Sequence, residues 1–235
     1  MRRVLLGLTC NNACLFCAQG RLRETVVVDA RTTATALATI IPGEDVALVG
    51  GEPTLLADLP GVIAACLARG AGRIVVQTNG RRLAYAGYVA SLAAVGGGRL
   101  YLDVSLQGST REMHDFHTSV QGSFAQTVTG LRHARAAGLP TGVSVVITRS
   151  NYRHLVDIAR VAQAVGARAL RSALVEPVGR ARARADQLVP PLELLRPHLV
   201  AAARECRRLG LPSLGTPREG AFPFAGIGEV EPNDA

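Results

Sequence analysis

The sequence predicts an α/β fold of about six strand–helix units around a parallel sheet. Short, nearly continuous apolar runs alternate with longer segments rich in alanine and leucine, and such runs are typical of strands buried on both faces. Strands are expected at 3–8, 45–50, 73–78, 100–106, 142–148 and 168–176. Helices are expected at 30–41, 56–69, 82–95, 121–137, 152–165 and 191–209. Since 235 residues are fewer than the roughly 250 of an eight-unit barrel, an incompletely closed barrel and an open doubly wound sheet both fit.

Glycine marks the ends of several predicted helices. Gly70, Gly138, Gly166 and Gly210 lie just past the last predicted turn, where a left-handed residue commonly ends a helix. The stretch 211–235 is rich in glycine and proline and is predicted to be irregular. The predicted organisation is therefore one core domain at 1–210 followed by a tail at 211–235.

The composition is that of a globular protein, since 48% of the residues are apolar and 19% are charged. No apolar run reaches the roughly 20 residues of a membrane span, and a cytoplasmic protein is expected. All 26 basic residues are arginine, and the net charge is +8. The densest basic stretch, "GRARARAD" at 179–186, is either a solvated face or a phosphate-binding patch. Its lack of aromatic residues argues against base stacking.

Three cysteines follow the first predicted strand closely. Cys10, Cys14 and Cys17 form a C-x3-C-x2-C pattern at the carboxyl end of that strand, where functional groups gather in this class of fold. Clustered thiolates suit zinc or an iron–sulfur cluster. Three ligands instead of four would leave one coordination position open for a substrate or cofactor. Cys66 and Cys206 lie in predicted helices and are expected to be buried structural residues.

Other polar residues near strand ends allow two interpretations. His114, Asp115 and His117 either face a substrate or form capping and loop hydrogen bonds, and the second interpretation is favoured. Three arginines near predicted strand ends could clasp a carboxylate or phosphate: Arg81, Arg149 and Arg171.

Further motifs follow the cysteines in order along the chain. They are "GGEP" at 50–53, "QTNG" at 77–80, "DVSLQG" at 103–108, "VVITRSN" at 145–151 and "EPVGRA" at 176–181. Together with the cysteine pattern, they resemble the radical S-adenosylmethionine (radical SAM) enzymes over about 3–182. The likeness is to the branch that contains molybdenum-cofactor and peptide-maturation enzymes. A cysteine-rich C-terminal extension is not expected, since only Cys206 lies beyond Cys66.

The resemblance implies a partial parallel (β/α)6 barrel in which Cys10, Cys14 and Cys17 hold a [4Fe–4S] cluster. The residues implied to bind S-adenosylmethionine (SAM) are Phe16, Gly50, Gly51, Glu52, Pro53, Thr78, Asn79, Ser105, Val146, Ile147 and Val178. Within this set, Phe16 and the three apolar residues of the later strands would lie beside the adenine, and Ser105 would contact the nucleoside. The 50–53 motif would receive the methionine amino group. Glycines at 50 and 51 would let backbone approach the ligand closely.

The resemblance also implies a reaction. A reduced cluster would cleave SAM to methionine and a 5′-deoxyadenosyl radical, which would abstract hydrogen from a substrate. The electron would come from a donor such as flavodoxin or ferredoxin. The substrate is expected to be a peptide or natural-product precursor, and a partner protein that presents it is compatible with the sequence. The alternatives are modification of a nucleotide or RNA base, or a non-catalytic zinc or iron–sulfur protein.

Overall fold

Seven parallel strands form one sheet in which each strand pairs with the next one in the sequence. The structure is a computed structural model and describes residues 1–20, 22 and 28–214. The strands are β1 (Arg2–Leu5), β2 (Val46–Val49), β3 (Ile74–Thr78), β4 (Leu100–Ser105), β5 (Thr141–Ile147), β6 (Leu170–Leu174) and β7 (Ser213–Leu214). A doubly wound sheet has a point where the strand order reverses, and this order does not reverse. Within the described residues β1 and β7 do not pair, so the sheet is an incompletely closed barrel.

Helices connect successive strands, as the alternation of patterns predicts. Among the described residues the α-helices are α1 (Ala30–Ala38), α2 (Leu59–Ala68), α3 (Ala86–Gly96), α4 (Arg111–Thr118), α5 (Ser123–Ala136), α6 (Leu155–Ala164), α7 (Ala185–Leu188) and α8 (Leu192–Arg208). Short 3-10 turns lie at Pro53–Leu55, Arg82–Ala84, Gly97–Arg99, Tyr152–His154 and Gly179–Arg184. The four glycines predicted to end helices all have positive φ angles. All six predicted strands and all six predicted helices recur with shifted bounds.

Helix α4 was not predicted, because its buried face is polar and so lacks the apolar periodicity that indicates a helix. The Thr110 hydroxyl caps it by accepting a hydrogen bond from the Met113 amide at 3.3 Å. Its buried face carries His114 and His117, where an apolar stripe would usually signal a helix. The stretch therefore reads as a loop in sequence although it packs as a helix.

The predicted tail contains one short element. Ser213 and Leu214 pair in parallel with Leu170 and Arg171 on β6, so this part of the stretch is a strand and not irregular. Residues 215–235 lie outside the described residues. The division into a domain at 1–210 and a tail at 211–235 stays a prediction.

The core lies between the sheet and the helices that cover it, and strands and helices both supply its residues. All four residues of β2 are buried, as expected for a strand covered on both faces. Cys66 and Cys206 lie in this core as small buried side chains, which confirms their structural role. Burial raises the pKa of the Cys66 thiol to about 11. In the described part of the chain, no helix combines the length and apolar character that crossing a membrane requires.

A glycine lets helix α5 approach the loop that follows β3. A Cβ atom at Gly130 would lie 2.5 Å from the backbone oxygen of Gly80 and 2.6 Å from the Cβ of Leu83. Since a backbone carbonyl cannot rotate away as a side chain can, the contact requires glycine. The Thr127 hydroxyl, one turn earlier on α5, donates to the carbonyl of Asn79 at 2.9 Å. Helix α5 thereby fixes the end of β3.

We expect Gly130→Ala to lower the free energy of unfolding by about 2 kcal/mol, because the added methyl group overpacks a backbone contact. Gly87→Ala is the matched control, because Gly87 also lies in a helix but nothing lies within 4 Å of its Cβ position. The control should be neutral or stabilising by up to about 1 kcal/mol, since alanine favours helix. Urea unfolding measures both. Equal effects of the two changes would contradict the proposed contact.

Candidate functional site

A cavity of about 400 Å³ opens at the carboxyl ends of the strands, a volume within the range of small-molecule sites. The three cysteines of the C-x3-C-x2-C pattern line it. Residues that end β2, β3, β4, β5 and β6 line the rest, so six consecutive segments of the barrel contribute to one site. This is the edge at which functional residues of parallel barrels gather.

The cysteine loop, residues 6–20, is held by the backbone of its neighbours. The amide of Leu6 donates to the carbonyl of Val49 at 2.9 Å, which extends the pairing of β1 with β2. The amide of Gly51 donates to Gly7, and the amide of Glu52 donates to Thr9, both at 2.8 Å. On the other side, the last carbonyls of α4 accept from the loop: Ala13 donates to Thr118 at 2.9 Å and Leu15 to His117 at 3.0 Å. The loop is thus fixed at both flanks.

The two glycines of the 50–53 motif face the cysteine loop. A Cβ atom at Gly51 would lie 2.2 Å from the carbonyl oxygen of Thr9 and 2.3 Å from that of Leu8. A Cβ atom at Gly50 would lie 2.2 Å from the carbonyl oxygen of Gly7, and Gly50 has a φ of +149°. The sequence indicated that glycine here admits a ligand. The structure shows that it admits the backbone of the cysteine loop.

Glu52 is buried and collects hydrogen bonds from two strand ends. Its Oε1 accepts from the amide and hydroxyl of Thr54, at 3.0 and 2.7 Å, and from the hydroxyl of Thr78 at 2.6 Å. Its Oε2 accepts from the amide of Asn79 at 2.6 Å. Burial raises the pKa of Glu52, and these hydrogen bonds counteract the rise only in part. The carboxylate therefore joins the ends of β2 and β3.

Asn79 and Arg81 extend this network to the cysteine loop. The Asn79 side-chain nitrogen donates to Oδ1 of Asn11 at 2.7 Å and lies 3.9 Å from Sγ of Cys10. Arg81 donates from Nη1 to the carbonyl of Asn11 and, at 3.1 Å, to Oδ1 of Asn12. Thr78 and Asn79 are therefore more than an ordinary turn. Arg81, predicted as a possible anion clasp, instead binds this loop.

The histidine and aspartate cluster is structural. The Asp115 carboxylate accepts from the amides of Gly122 and Phe124 and from the hydroxyl of Ser123, at 2.6 to 2.8 Å. Burial would raise the pKa of Asp115, but these bonds outweigh it and hold the pKa below its usual value. Nδ1 of His117 bonds to the carbonyl of Met113 at 2.6 Å. Burial lowers the pKa of His114 to about 4. These bonds confirm the favoured capping interpretation.

The structure places most of the sequence-predicted site residues around the one cavity. Those that line it are Cys10, Cys14, Cys17, Phe16, Gly50, Gly51, Glu52, Thr78, Asn79, Ser105, Val146 and Val178. Pro53 is buried at the start of its 3-10 turn and does not line the cavity. Ile147 lies in the hydrophobic core. Because side chains alternate along β5, only Val146 of that predicted pair faces the cavity.

Sequence reasoning missed a polar cluster on the cavity wall. Asp103 on β4 accepts at Oδ2 from Nη2 of Arg171 on β6 at 3.0 Å and from Nε2 of Gln77 on β3 at 3.2 Å. Asp103 is 2% exposed, and Arg171 and Gln77 line the cavity. Arg171 was predicted as a possible anion clasp but not as part of an ion pair. A charged residue inside an otherwise apolar strand is the signal that could have found Asp103.

The thiols and their surroundings fit an iron–sulfur cluster. The amide of Asn12 donates to Sγ of Cys10 at 3.4 Å, and the Asn79 side chain approaches the same sulfur. Hydrogen bonds from N–H groups to ligand sulfurs are a usual feature of such clusters. Among the described residues, no group of three His, Cys, Asp or Glu side chains is arranged around a single metal ion. All three thiols line the one cavity.

Comparison with known proteins identifies the family. Residues 4–162 match the model of the Radical SAM superfamily, and the chain belongs to that superfamily. Its members are enzymes that use a [4Fe–4S] cluster and SAM. This confirms the resemblance drawn from the cysteine pattern and the motifs that follow it.

Individual relatives share much of this chain but are longer. The chain is 29% identical over 189 residues to an AdoMet-dependent heme synthase of Nitratidesulfovibrio vulgaris. The aligned segment covers 79% of this chain and 50% of that relative. The chain is also 30% identical over 190 residues to a probable GTP 3′,8-cyclase of Metallosphaera sedula. That alignment covers 77% of this chain and 57% of the relative. The crystal structure of Streptococcus suis SuiB bound to precursor peptide SuiA matches with a TM-score of 0.71 at 15% identity. That match covers 92% of this chain and 48% of SuiB. The chain therefore spans about half the length of these proteins.

We expect Glu52→Gln to lower the free energy of unfolding by about 2 kcal/mol and to reduce iron retention after reconstitution. Either orientation of the amide sets its NH2 group against a backbone N–H, that of Thr54 or that of Asn79. The end of β3 would then separate from the cysteine loop.

Glu44→Gln provides the matched control, since it removes the same charge from an ion pair with Arg2 near the surface. It should cost less than about 1 kcal/mol and leave iron retention unchanged. Urea unfolding and iron content per protein measure both variants. If Glu52→Gln retained as much iron as Glu44→Gln, the role given to Glu52 would be wrong.

Proposed function

We propose that this chain is a radical SAM enzyme that abstracts a hydrogen atom from a peptide or a peptide-derived natural-product precursor. One observation carries the proposal. The three thiols, residues 50–52 and the end of β3 line a single cavity. A non-catalytic zinc or electron-transfer protein would not need a SAM-sized space beside its thiols.

In this proposal Cys10, Cys14 and Cys17, which all line the cavity, would hold the [4Fe–4S] cluster. When bound, the cluster supplies the electron that cleaves SAM to methionine and a 5′-deoxyadenosyl radical, which takes hydrogen from the substrate. The chain supplies placement and shelter from water. The buried Glu52 and its motif lie next to the thiols and are assigned to the methionine end of SAM.

The adenosine end of SAM is assigned to the later strands. Ser105 offers a hydroxyl at the end of β4, and Val146 and Val178 offer apolar surface on the cavity wall. Phe16 lies between the second and third thiols in the sequence, with its ring 6.0 Å from that of His117. An aromatic ring in that position can pack against a nucleobase. The Asp103–Arg171 pair on the wall is assigned to the substrate.

Two substrate classes have support from relatives. SuiB has been solved with a precursor peptide, and its fold matches over 92% of this chain, which favours a peptide. The similarity to a probable GTP 3′,8-cyclase makes a nucleotide the second candidate. Among the described residues that line the cavity, the only arginine is Arg171, and it is engaged by Asp103. Binding a triphosphate usually takes several cations, so the peptide is preferred.

A one-electron donor such as flavodoxin or ferredoxin would reduce the cluster in the cytoplasm. A partner protein could present the substrate.

The thiols provide the decisive test. After anaerobic reconstitution with iron and sulfide, the wild-type protein should be brown and should form 5′-deoxyadenosine from SAM with dithionite. Cys14→Ala should lose both iron and product, because the cluster loses a ligand. Iron analysis and chromatography of the products measure these outcomes.

Cys66→Ala is the control, because it removes a thiol that lies in the core and does not line the cavity. It should keep both iron and product formation. A colourless wild-type protein with one tightly bound zinc would overturn the proposal, as would equal losses in the two cysteine variants.

A further inference from the structure

A second cavity of about 790 Å³ lies beside the proposed SAM cavity. One wall is the cysteine loop and the other is the 3-10 turn Gly179–Arg184. The two cavities share Ala18 and Gln19 as a common rim. A chain bound in the second cavity could therefore continue into the first.

Backbone contacts hold this 3-10 turn against the cysteine loop. The amide of Arg180 donates to the carbonyl of Cys17 at 3.0 Å. Gly179 has a φ of +55°, and a Cβ atom there would lie 2.3 Å from the same carbonyl oxygen. Ala181 is fully buried and belongs to a small core against which Leu15 and Phe16 pack. The turn thus has a fixed position relative to the thiols.

Three arginines of the turn line the second cavity: Arg180, Arg182 and Arg184. All three are exposed, and within the described residues none of their guanidinium groups takes part in a hydrogen bond or ion pair. Arg73, Arg81 and Arg171, by contrast, all have polar partners. Three like charges within five residues repel one another unless an anion lies between them. The cluster is therefore suited to an anionic ligand.

We infer that Arg180, Arg182 and Arg184 form a docking surface for an acidic segment of the peptide substrate. The inference rests on the proposed function and adds a recognition site beside the SAM cavity. Guanidinium groups bind carboxylates through paired hydrogen bonds. Ala13, Leu15 and Ala18 give the cavity an apolar floor that suits small apolar side chains of the same segment. The residue to be modified would follow within a few positions, across the shared rim.

A peptide fits this surface better than a nucleic acid. Single-stranded nucleic acids bind through aromatic side chains on which bases stack. The described residues that line the second cavity include no aromatic residue. The charge pattern alone would serve either ligand, so the experiment includes both.

The test measures binding by fluorescence anisotropy, with the full-length, anaerobically reconstituted protein. The first probe is a fluorescein-labelled peptide of about ten residues, which spans roughly 33 Å when extended, made of glutamate, alanine and leucine. The second has glutamine in place of glutamate, and the third is a single-stranded RNA of equal charge. The variant R180Q/R182Q/R184Q is compared with R196Q/R204Q/R207Q, which removes three exposed charges from α8.

Binding of the acidic peptide should weaken about tenfold in R180Q/R182Q/R184Q and little in the control, because each exposed ion pair contributes modestly. The glutamine peptide should bind weakly to all proteins. R180E/R182E/R184E should bind a lysine version of the peptide better than the wild-type protein does, a gain that misfolding cannot produce.

Equal effects of the two glutamine variants would overturn the inference, and so would tighter binding of the RNA than of the peptide at this surface. The proposed function is tested separately by formation of 5′-deoxyadenosine from SAM, which needs no peptide. A wild-type protein that binds the peptide but makes no 5′-deoxyadenosine would contradict the proposed function without contradicting the docking surface.

Discussion

The close backbone contact between the cysteine loop and the end of β2 is the constraint on which the rest of the site depends. Gly50 and Gly51 leave no room for a Cβ atom, because loop carbonyls fill that space. Two amide hydrogen bonds from the same segment then fix the loop. Side chains alone would leave the loop many conformations, whereas this backbone contact restricts it to one. The direction in which the thiols face follows from it.

Buried polar groups carry this constraint to the other strands. Glu52 joins β2 to β3, and Asn79 and Arg81 join β3 to the cysteine loop. Helix α5 packs on the same turn through Gly130, so the network is supported from outside the barrel. A fully satisfied network of this kind is rigid, and partial loss of it is costly. A change in this polar network would therefore also disturb the packing of the strands and helix that it connects.

Much of this arrangement was readable in the sequence, and the part that was not has a physical reason. Apolar runs predicted six strands, and the cysteine pattern with "GGEP" predicted the edge of the sheet that carries the site. Local pattern does not show on which face a residue lies, so Ile147 was assigned to the cavity although only Val146 faces it. The ion pair of Asp103 with Arg171 joins β4 to β6 across the sheet, and no local signal encodes such a pairing. Helix α4 was missed for a different reason, because its buried face carries histidines in place of the apolar residues that usually indicate a helix.

The hydrogen bonds from Ala13 and Leu15 to the end of α4 have a consequence for biogenesis. The three cysteines precede the groups that shape their loop, which come from residues about a hundred positions later, and Arg180 comes later still. During synthesis the thiols leave the ribosome before the segments that enclose them, and they are exposed to solvent until those segments fold. Metal acquisition by a site that exists only in the folded chain is coupled to folding. A cluster held by Cys10, Cys14 and Cys17 would therefore be acquired only after the chain as far as Arg180 has folded against the loop.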